Sequence, residues 1–149
     1  KFGFFRYFSD VELWEVLRLA TWRMHVCDTV LIQEGDVGSS FFILAAGEVK
    51  IIKQERLLIK QERLLNVLKV GECFGEMAYL GKRKFQRSAS VVSISDVTVI
   101  EIRAESLSQA SELCRHHFHG AFLELLVDRL ETANTRLSQF LADRNISIF

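Results

Sequence analysis

The hydrophobic period of this chain changes twice, and this pattern limits the folds that are open to it. A capping box at Ser9 and Glu12, followed by apolar residues at helical spacing, predicts a helix over about 9–20. Short runs of period two with glycine at their corners fill about 21–103, and helical spacing returns over about 104–143. The pattern predicts a mainly β chain with flanking helices (α+β): an antiparallel β-roll or jelly roll with an N-terminal helix and a long C-terminal helix.

Length, composition and charge narrow the classes of protein. The chain has 149 residues, of which 49% are hydrophobic and 26% charged, so we treat 1–149 as a single globular domain. A formal net charge of zero means that the chain has no excess of positive charge to attract DNA or an anionic membrane. Three widely spaced cysteines favour a reducing, cytoplasmic location. Because the chain begins with lysine, we expect a piece of a longer protein.

The segment from Gly71 to Val91, GECFGEMAYLGKRKFQRSASV, combines a turn, a helix start and a strand start. Gly75 permits a backbone conformation and a close approach that a Cβ would prevent. The free N–H groups of a helical turn beginning near Glu76 would attract an anion, and Arg87 would add a two-pronged contact to a phosphate. Glu76 would accept from a sugar hydroxyl and also pair with Arg87. These features together suit a ribose that carries a phosphate with few free charges.

FGEMAYL followed by RSASV resembles the phosphate-binding cassette of cyclic nucleotide-binding domains, the family of catabolite activator proteins and cyclic nucleotide-dependent kinase regulatory subunits. The string EGDVGSSFFILAAGEVKI resembles the front half of the β-roll in that family, and the resemblance extends from about Phe8 to about Leu141. It implies that Glu76 holds the ribose 2′-hydroxyl and Arg87 the cyclic phosphate. The remaining cradle would come from Gly75, Met77, Ala78, Ser88 and Ala89. A buried Glu–Arg pair that braces the loop without a ligand is the alternative.

After a short helix over about 104–113, a long helix is predicted from about Phe118 to Asp143. Its apolar stripe consists of Phe118, Phe122, Leu126, Leu130, Ala133, Leu137 and Phe140, widened by Leu123, Val127 and Leu141. The stripe is wider than one sheet face needs, so part of it should pack on a partner helix. The run LVDRLETANTRLSQFL resembles the C-terminal helix of the catabolite activator group, which pairs two subunits and lies over the base. By that resemblance Asn134 faces the base; an ordinary polar heptad position is the alternative.

Four further features carry expectations of their own. The heptapeptide IKQERLL is repeated at 52–58 and 59–65, and we interpret one copy as an insertion that lengthens the hairpin or bulges out of it. His116, His117 and His119 near Cys114 invite a zinc interpretation, but a structural site needs four converging ligands, so no metal is expected. Lys82–Lys84 is interpreted as a solvated loop. Trp14 and Trp22 are expected in the core or at an interface.

The resulting hypothesis is a regulatory domain that binds a cyclic nucleotide, with cAMP favoured over cGMP, and that has no catalytic residues and no cofactor. Ligand binding would move the C-terminal helix and shift the balance between the conformational states of the attached domain, such as a protein kinase. A homodimer through that helix is implied by the resemblance. No helix-turn-helix follows, so neither DNA nor a membrane is an expected partner. A ligand-free β-roll used for dimerisation or protein interaction stays open, as does a jelly-roll metalloenzyme.

Overall fold

The computed structural model describes residues 3–55, 61–76 and 86–144. A 3-10 turn precedes the first helix, eight strands follow, and two helices end the described part. In chain order the elements are Gly3–Phe5 (3-10), α1 Asp10–Leu19, β1 Thr21–His25, β2 Val30–Ile32, β3 Ser40–Ala46, β4 Val49–Glu55, β5 Gln61–Leu68, β6 Cys73–Phe74, β7 Ser90–Ser93, β8 Val97–Arg103, α2 Ala104–Ser108 and α3 Glu112–Asp143.

The strands form two antiparallel four-stranded sheets, in the orders β1-β8-β3-β6 and β2-β7-β4-β5. Strand β3 lies inside the first sheet and is buried on both faces, which explains its uninterrupted apolar run. Phe42 and Leu44 face the second sheet, whereas Phe41 and Ile43 face the helices. This arrangement confirms the predicted antiparallel roll with flanking helices.

The helices form a second core on the outer face of the first sheet, and α1 is joined to α3 there. Ser9 caps α1 as predicted, since its hydroxyl accepts from the Glu12 N–H at 3.3 Å. The Glu12 side chain is buried and contacts both the Ser9 hydroxyl and His117 of α3. Burial alone would raise the pKa of Glu12, but these two hydrogen bonds outweigh it, and the pKa lies below its ordinary value.

The boundaries of the last two helices differ from those expected. The short helix ends at Ser108, not Leu113, and the long helix begins at Glu112, six residues before Phe118. Ser111 is the N-cap of α3: its hydroxyl accepts from the Cys114 N–H at 3.2 Å. The Ser111 N–H and hydroxyl in turn donate to the Glu15 carboxylate of α1. Because this support comes from another helix, the periodicity of α3 alone did not reveal where it begins.

The two copies of IKQERLL pair with each other across the hairpin of β4 and β5. Ile52 of the first copy lies opposite Leu64 of the second, and Glu55 lies opposite Gln61. The extra copy therefore lengthens the hairpin, which is one of the two expected outcomes. The register shifts between Ile51 and Ile52, close to the point beyond which the hairpin of β4 and β5 extends past β7. The connection at 56–60, like Lys82–Lys84, is outside the described residues.

Trp14 and Trp22 are 68% and 54% exposed, so neither belongs to the core. His117 contacts Glu12, and within residues 3–55, 61–76 and 86–144 no group of three or more His, Cys, Asp or Glu side chains could hold a metal ion. All three cysteines are free. In the described part of the chain, no helix has both the length and the apolar character that crossing a bilayer requires.

Candidate functional site

Two glycines leave room for the guanidinium of Arg87. Gly75 follows β6 with a φ of +81°, and a Cβ built there would lie 2.9 Å from the Ser40 carbonyl oxygen and 3.1 Å from Arg87 Nη1. A Cβ on Gly38 would lie 2.8 Å from Arg87 Nη2. Any larger residue at either position would therefore push into the Arg87 side chain or the backbone beside it.

In the described part of the chain, the hydrogen bonds of Arg87 are all made with backbone groups. Its N–H donates to the Asp36 carbonyl at 2.7 Å, and its carbonyl accepts from the Gly35 N–H at 2.8 Å. Its guanidinium donates to the carbonyls of Gly75, at 3.1 Å, and Ser40, at 2.9 Å. Burial lowers the pKa of Arg87, yet an arginine keeps its proton in proteins. A partly buried cation bonded to carbonyl oxygens retains donors and charge for an anion.

Glu76 is buried, with 4% of its surface exposed, and its carboxylate contacts the guanidinium of Arg129 on α3. Arg129 also donates to the Cys73 carbonyl, which fixes it beside the end of β6. Burial lowers the pKa of Arg129. The predicted pairing of Glu76 with Arg87 is wrong, because Arg87 is occupied by carbonyl oxygens while Arg129 reaches Glu76 from another element.

The structure brings most of the predicted site residues into one cleft of about 120 Å³. Both charged members, Glu76 and Arg87, line it, and Arg129 closes one side. The predicted residues that line this cleft are Gly75, Glu76, Arg87, Ser88 and Ala89. Met77 and Ala78, also predicted, are outside the described residues. The described part of the cassette therefore lines one cleft that contains both of its charged site residues.

A larger cavity of about 580 Å³ adjoins this cleft between β5 and α3. Ile51 and Arg129 line both spaces, so the two meet at these side chains. Ala133 of α3 lines the larger cavity, as does Asn66 of β5. Asn134, the residue expected to face the base, is exposed and is not among the described residues that line either space.

Arg129 is the residue that the sequence interpretation missed. It follows the buried Phe122 by seven residues, and two helical turns return a side chain to nearly the same face. A cation on the inward face of an amphipathic helix requires a buried partner. That signal was present in the sequence, but it named neither Glu76 nor the Cys73 carbonyl as the partner.

Cys73 lies beside the cleft but is not a reactive thiol. Burial raises its pKa to about 12, so the thiolate is scarce at neutral pH. Cys114, in the helical core, has a pKa raised to about 11 for the same reason. The side chain of Cys73 thus contributes packing, and its carbonyl contributes the contact with Arg129.

Replacing Gly75 with alanine should lower the free energy of unfolding by about 1–2 kcal/mol, because an L-residue at positive φ is strained. The clash with the Ser40 carbonyl would add to this loss. Gly120 is the matched control: it lies in α3, and a Cβ there meets nothing within 4 Å. Gly120→Ala should raise stability by up to about 1 kcal/mol. Urea denaturation measures both, and a stability gain in Gly75→Ala would contradict the strain argument.

A family model described as the cyclic nucleotide-binding domain matches residues 25–113, more than half of the chain. The chain therefore belongs to the cyclic nucleotide-binding domain family. The family that the cassette indicated is confirmed, and so is the fold that the family resemblance implied.

The chain is similar to two proteins that are named for cyclic nucleotides and to one solved structure. It is 32% identical over 118 residues to the cyclic AMP receptor protein of Thermus thermophilus, covering 77% of this chain and 51% of that protein. It is 39% identical over 80 residues to cGMP-dependent protein kinase 2 of Homo sapiens, covering 53% of this chain and 10% of the kinase. The crystal structure of the Thermus thermophilus catabolite activator protein matches with a TM-score of 0.77 and 27% identity, covering 92% of this chain and 62% of that one. The chain thus spans about half the length of the bacterial relative.

Proposed function

We propose that this chain is a regulatory domain that binds a cyclic nucleotide and transmits binding through α3 to the rest of a longer signalling protein. The observation that carries the proposal is the placement of Arg87: within the described residues, its guanidinium donates to carbonyl oxygens alone, in a cleft with the buried carboxylate of Glu76. Arg87 and Ser88 would bind the cyclic phosphate. Glu76 would accept from the ribose 2′-hydroxyl. A second negative charge on the phosphate would meet repulsion from Glu76, so a cyclic phosphodiester fits best.

The base would occupy the larger cavity between β5 and α3. A volume of about 580 Å³ is within the range of small-molecule sites, whereas the cassette cleft alone, at about 120 Å³, is too small for a whole nucleotide. Arg129 links the two spaces and connects Glu76 to α3. A ligand that engages Glu76 and the cavity therefore changes the contacts that hold α3, which biases its position by population shift.

We expect the wider protein to be a cytoplasmic signalling enzyme, with a protein kinase as the first choice, and this chain itself to be non-catalytic. Free cysteines suit a reducing compartment. One relative is named for protein kinase activity, and this chain aligns with a tenth of its length. The formal charge of zero gives no electrostatic reason for this chain to contact DNA.

Calorimetric titration of the chain should give a dissociation constant for cAMP in the micromolar range or tighter, and weaker binding of cGMP. One relative is named a cyclic AMP receptor and another a cGMP-dependent kinase, so the base preference has to be measured. The matched control ligand is 2′-deoxy-cAMP, which lacks the hydroxyl assigned to Glu76. It should bind about ten-fold more weakly or worse, because a charged hydrogen bond is lost. Equal affinity for cAMP and its 2′-deoxy analogue would remove Glu76 from the proposed role.

We further propose that two copies pair along α3. Its outward face carries a seam with alternating spacings of four and three residues, the pattern of a two-stranded coiled coil. The seam consists of Leu123, Val127, Leu130, Asn134, Leu137 and Leu141. Leu123, Val127, Leu130 and Leu137 are each at least half exposed in the single chain. An asparagine at a seam position fixes register, which supplies Asn134 with a role apart from the base.

Sedimentation should detect a dimer that the double change Leu130→Lys with Leu137→Lys converts to a monomer, because charges would then face each other in the seam. Leu113→Lys is the control, since Leu113 is exposed on α3 outside the seam. A monomeric wild type would overturn the pairing. If Asn134→Leu instead loses cAMP affinity while the dimer stays intact, Asn134 contacts the base.

A ligand-free β-roll used for dimerisation or protein interaction is the second candidate. The contact between Arg129 and Glu76 favours it, because a buried ion pair that satisfies Glu76 can brace the cassette without a ligand. The same titration separates the two: absence of heat with both nucleotides, in a chain that still dimerises, selects the second candidate.

A further inference from the structure

The edge strands of the two described sheets are protected to different degrees. The edges are β1 and β6 in the first sheet, and β2 and β5 in the second. Strand β6 has only two residues, β2 has three with a register shift against β7, and β5 shifts register against β4. Short strands and bulges are ways in which proteins prevent pairing at an edge. Strand β1 has neither: its five residues pair with β8 in one unbroken register.

One face of β1 is apolar, and it continues the side of the first sheet that packs against the helices. Residues opposite each other in an antiparallel pair point to the same face, and Trp22 lies opposite the buried Ile100. Trp22 and Met24 therefore extend the apolar face of the sheet past its edge, and they are 54% and 82% exposed. Trp14 of α1, which packs on that face, is exposed as well. Tryptophan and methionine are enriched where proteins contact partners.

The charge of Arg23, which lies between Trp22 and Met24 in sequence, decides which partner fits. Arg23 lies on the other face of β1, and its Nε donates to Glu101. Antiparallel self-pairing that used all of residues 21–25 would place Arg23 opposite its own copy, and like charges in that position destabilise a sheet. The contact with Glu101 uses Nε, so the terminal nitrogens of the guanidinium can receive a second carboxylate. An acidic residue opposite Arg23 is thus favoured over a second copy of β1.

We propose that β1 accepts an extended segment of a different protein, added as a fifth strand to the first sheet. The segment reads apolar–acidic–apolar: its acidic residue lies opposite Arg23, and its apolar residues lie opposite Trp22 and Met24. Backbone hydrogen bonds along β1 supply affinity, and the alternating side chains supply specificity. This surface is separate from the cassette cleft, which is lined by Phe74 of β6, Val91 of β7 and Arg129 of α3.

The test measures the binding of two synthetic peptides to the full chain. The peptides differ from each other in one residue. The probe is acetyl-Thr-Thr-Val-Glu-Val-Thr-Thr-amide, and the control peptide has lysine in place of glutamate. At saturating probe, amide hydrogen exchange should slow in residues 21–25. The glutamate peptide should bind about three- to thirty-fold more tightly than the lysine peptide, since one forms and the other opposes a cross-strand charge pair.

Variants locate the site and test the charge argument. Trp22→Thr with Met24→Thr should weaken the probe about ten-fold or more, whereas Val70→Thr, an exposed apolar residue elsewhere, should leave it unchanged. Arg23→Glu should reverse the preference between the two peptides. If that variant fails to fold beside Glu101, Arg23→Gln should abolish the preference.

The proposal would be overturned by equal binding of the two peptides, by no protection of residues 21–25, or by an affinity that the Trp22 and Met24 changes do not alter. Protection of residues 21–25 that rises with protein concentration, without any peptide, would identify a second copy as the occupant and would also overturn it.

Discussion

Replacing Arg87 with alanine is expected to weaken cAMP binding by about 10- to 150-fold, the loss that corresponds to roughly 1.5–3 kcal/mol for hydrogen bonds to a charged group. The cyclic phosphate would remain in a desolvated cleft without its cation. Arg87→Lys should recover part of this loss, because lysine keeps the charge but not the planar, two-pronged geometry. Calorimetry on the three proteins gives the order wild type, lysine variant, alanine variant.

Arg87 also has a structural role, so the binding loss must be separated from a folding loss. Its guanidinium satisfies the carbonyls of Gly75 and Ser40, and both would lose a donor in the alanine variant. Thermal denaturation without ligand measures this part, and titration at a temperature where each variant is folded measures the rest. Arg103→Ala is the matched control, since Arg103 is exposed at the end of β8. An unchanged affinity in folded Arg87→Ala would contradict the assignment of the phosphate site.

The parts of this structure that sequence could predict are those encoded locally. The strands of the roll follow from apolar runs and turn glycines that lie within a few residues of each other. The cassette is one continuous segment, so the turn at Gly75 and the return of Arg87 toward it could be anticipated from a motif. The N-cap at Ser9 is local in the same sense, because its hydroxyl bonds to an N–H three residues later.

The parts that could not be predicted depend on how distant elements approach each other. The partner of Glu76 is 53 residues away, and only the crossing of α3 over the roll selects Arg129 in place of Arg87. Periodicity likewise gave one wide stripe for α3, whereas the structure buries Phe118 and Phe122 and leaves Leu130 and Leu137 exposed. An apolar face is the same sequence signal whether it packs on its own domain or on a partner.

Replacing one member of the Glu76–Arg129 pair should lower the free energy of unfolding by more than expected from the effect of replacing both. Either Glu76→Gln or Arg129→Met alone should lower the free energy of unfolding of the ligand-free protein by about 1–3 kcal/mol, because one charge stays desolvated without its partner. This range lies below that of a fully buried pair, since the Arg129 side chain is 36% exposed and water screens it. The double variant should be more stable than the sum of the two single losses predicts.

Urea denaturation of the four proteins measures the coupling, and the exposed pair of Arg6 and Glu124 is the control. Both of its side chains are about half exposed, at 55% and 45%, so a cycle on that pair should show little coupling. Purely additive losses at Glu76 and Arg129 would mean that their contact contributes nothing to stability, and would also remove its support for a ligand-free role of the roll.

The same variants test whether the cassette and the long helix are energetically connected. Arg129 joins α3 to Glu76 and to the Cys73 carbonyl, beyond the buried core contacts of Phe118 and Phe122. Hydrogen exchange in α3 around residue 129 should therefore be faster in Glu76→Gln than in the wild type, while exchange around residue 118 should be unchanged. If both regions exchange as in the wild type, α3 is held by its apolar core alone, and a ligand at Glu76 has no route to the helix through Arg129. If only the region around residue 129 responds, that contact is the point at which occupancy of the site alters the helix.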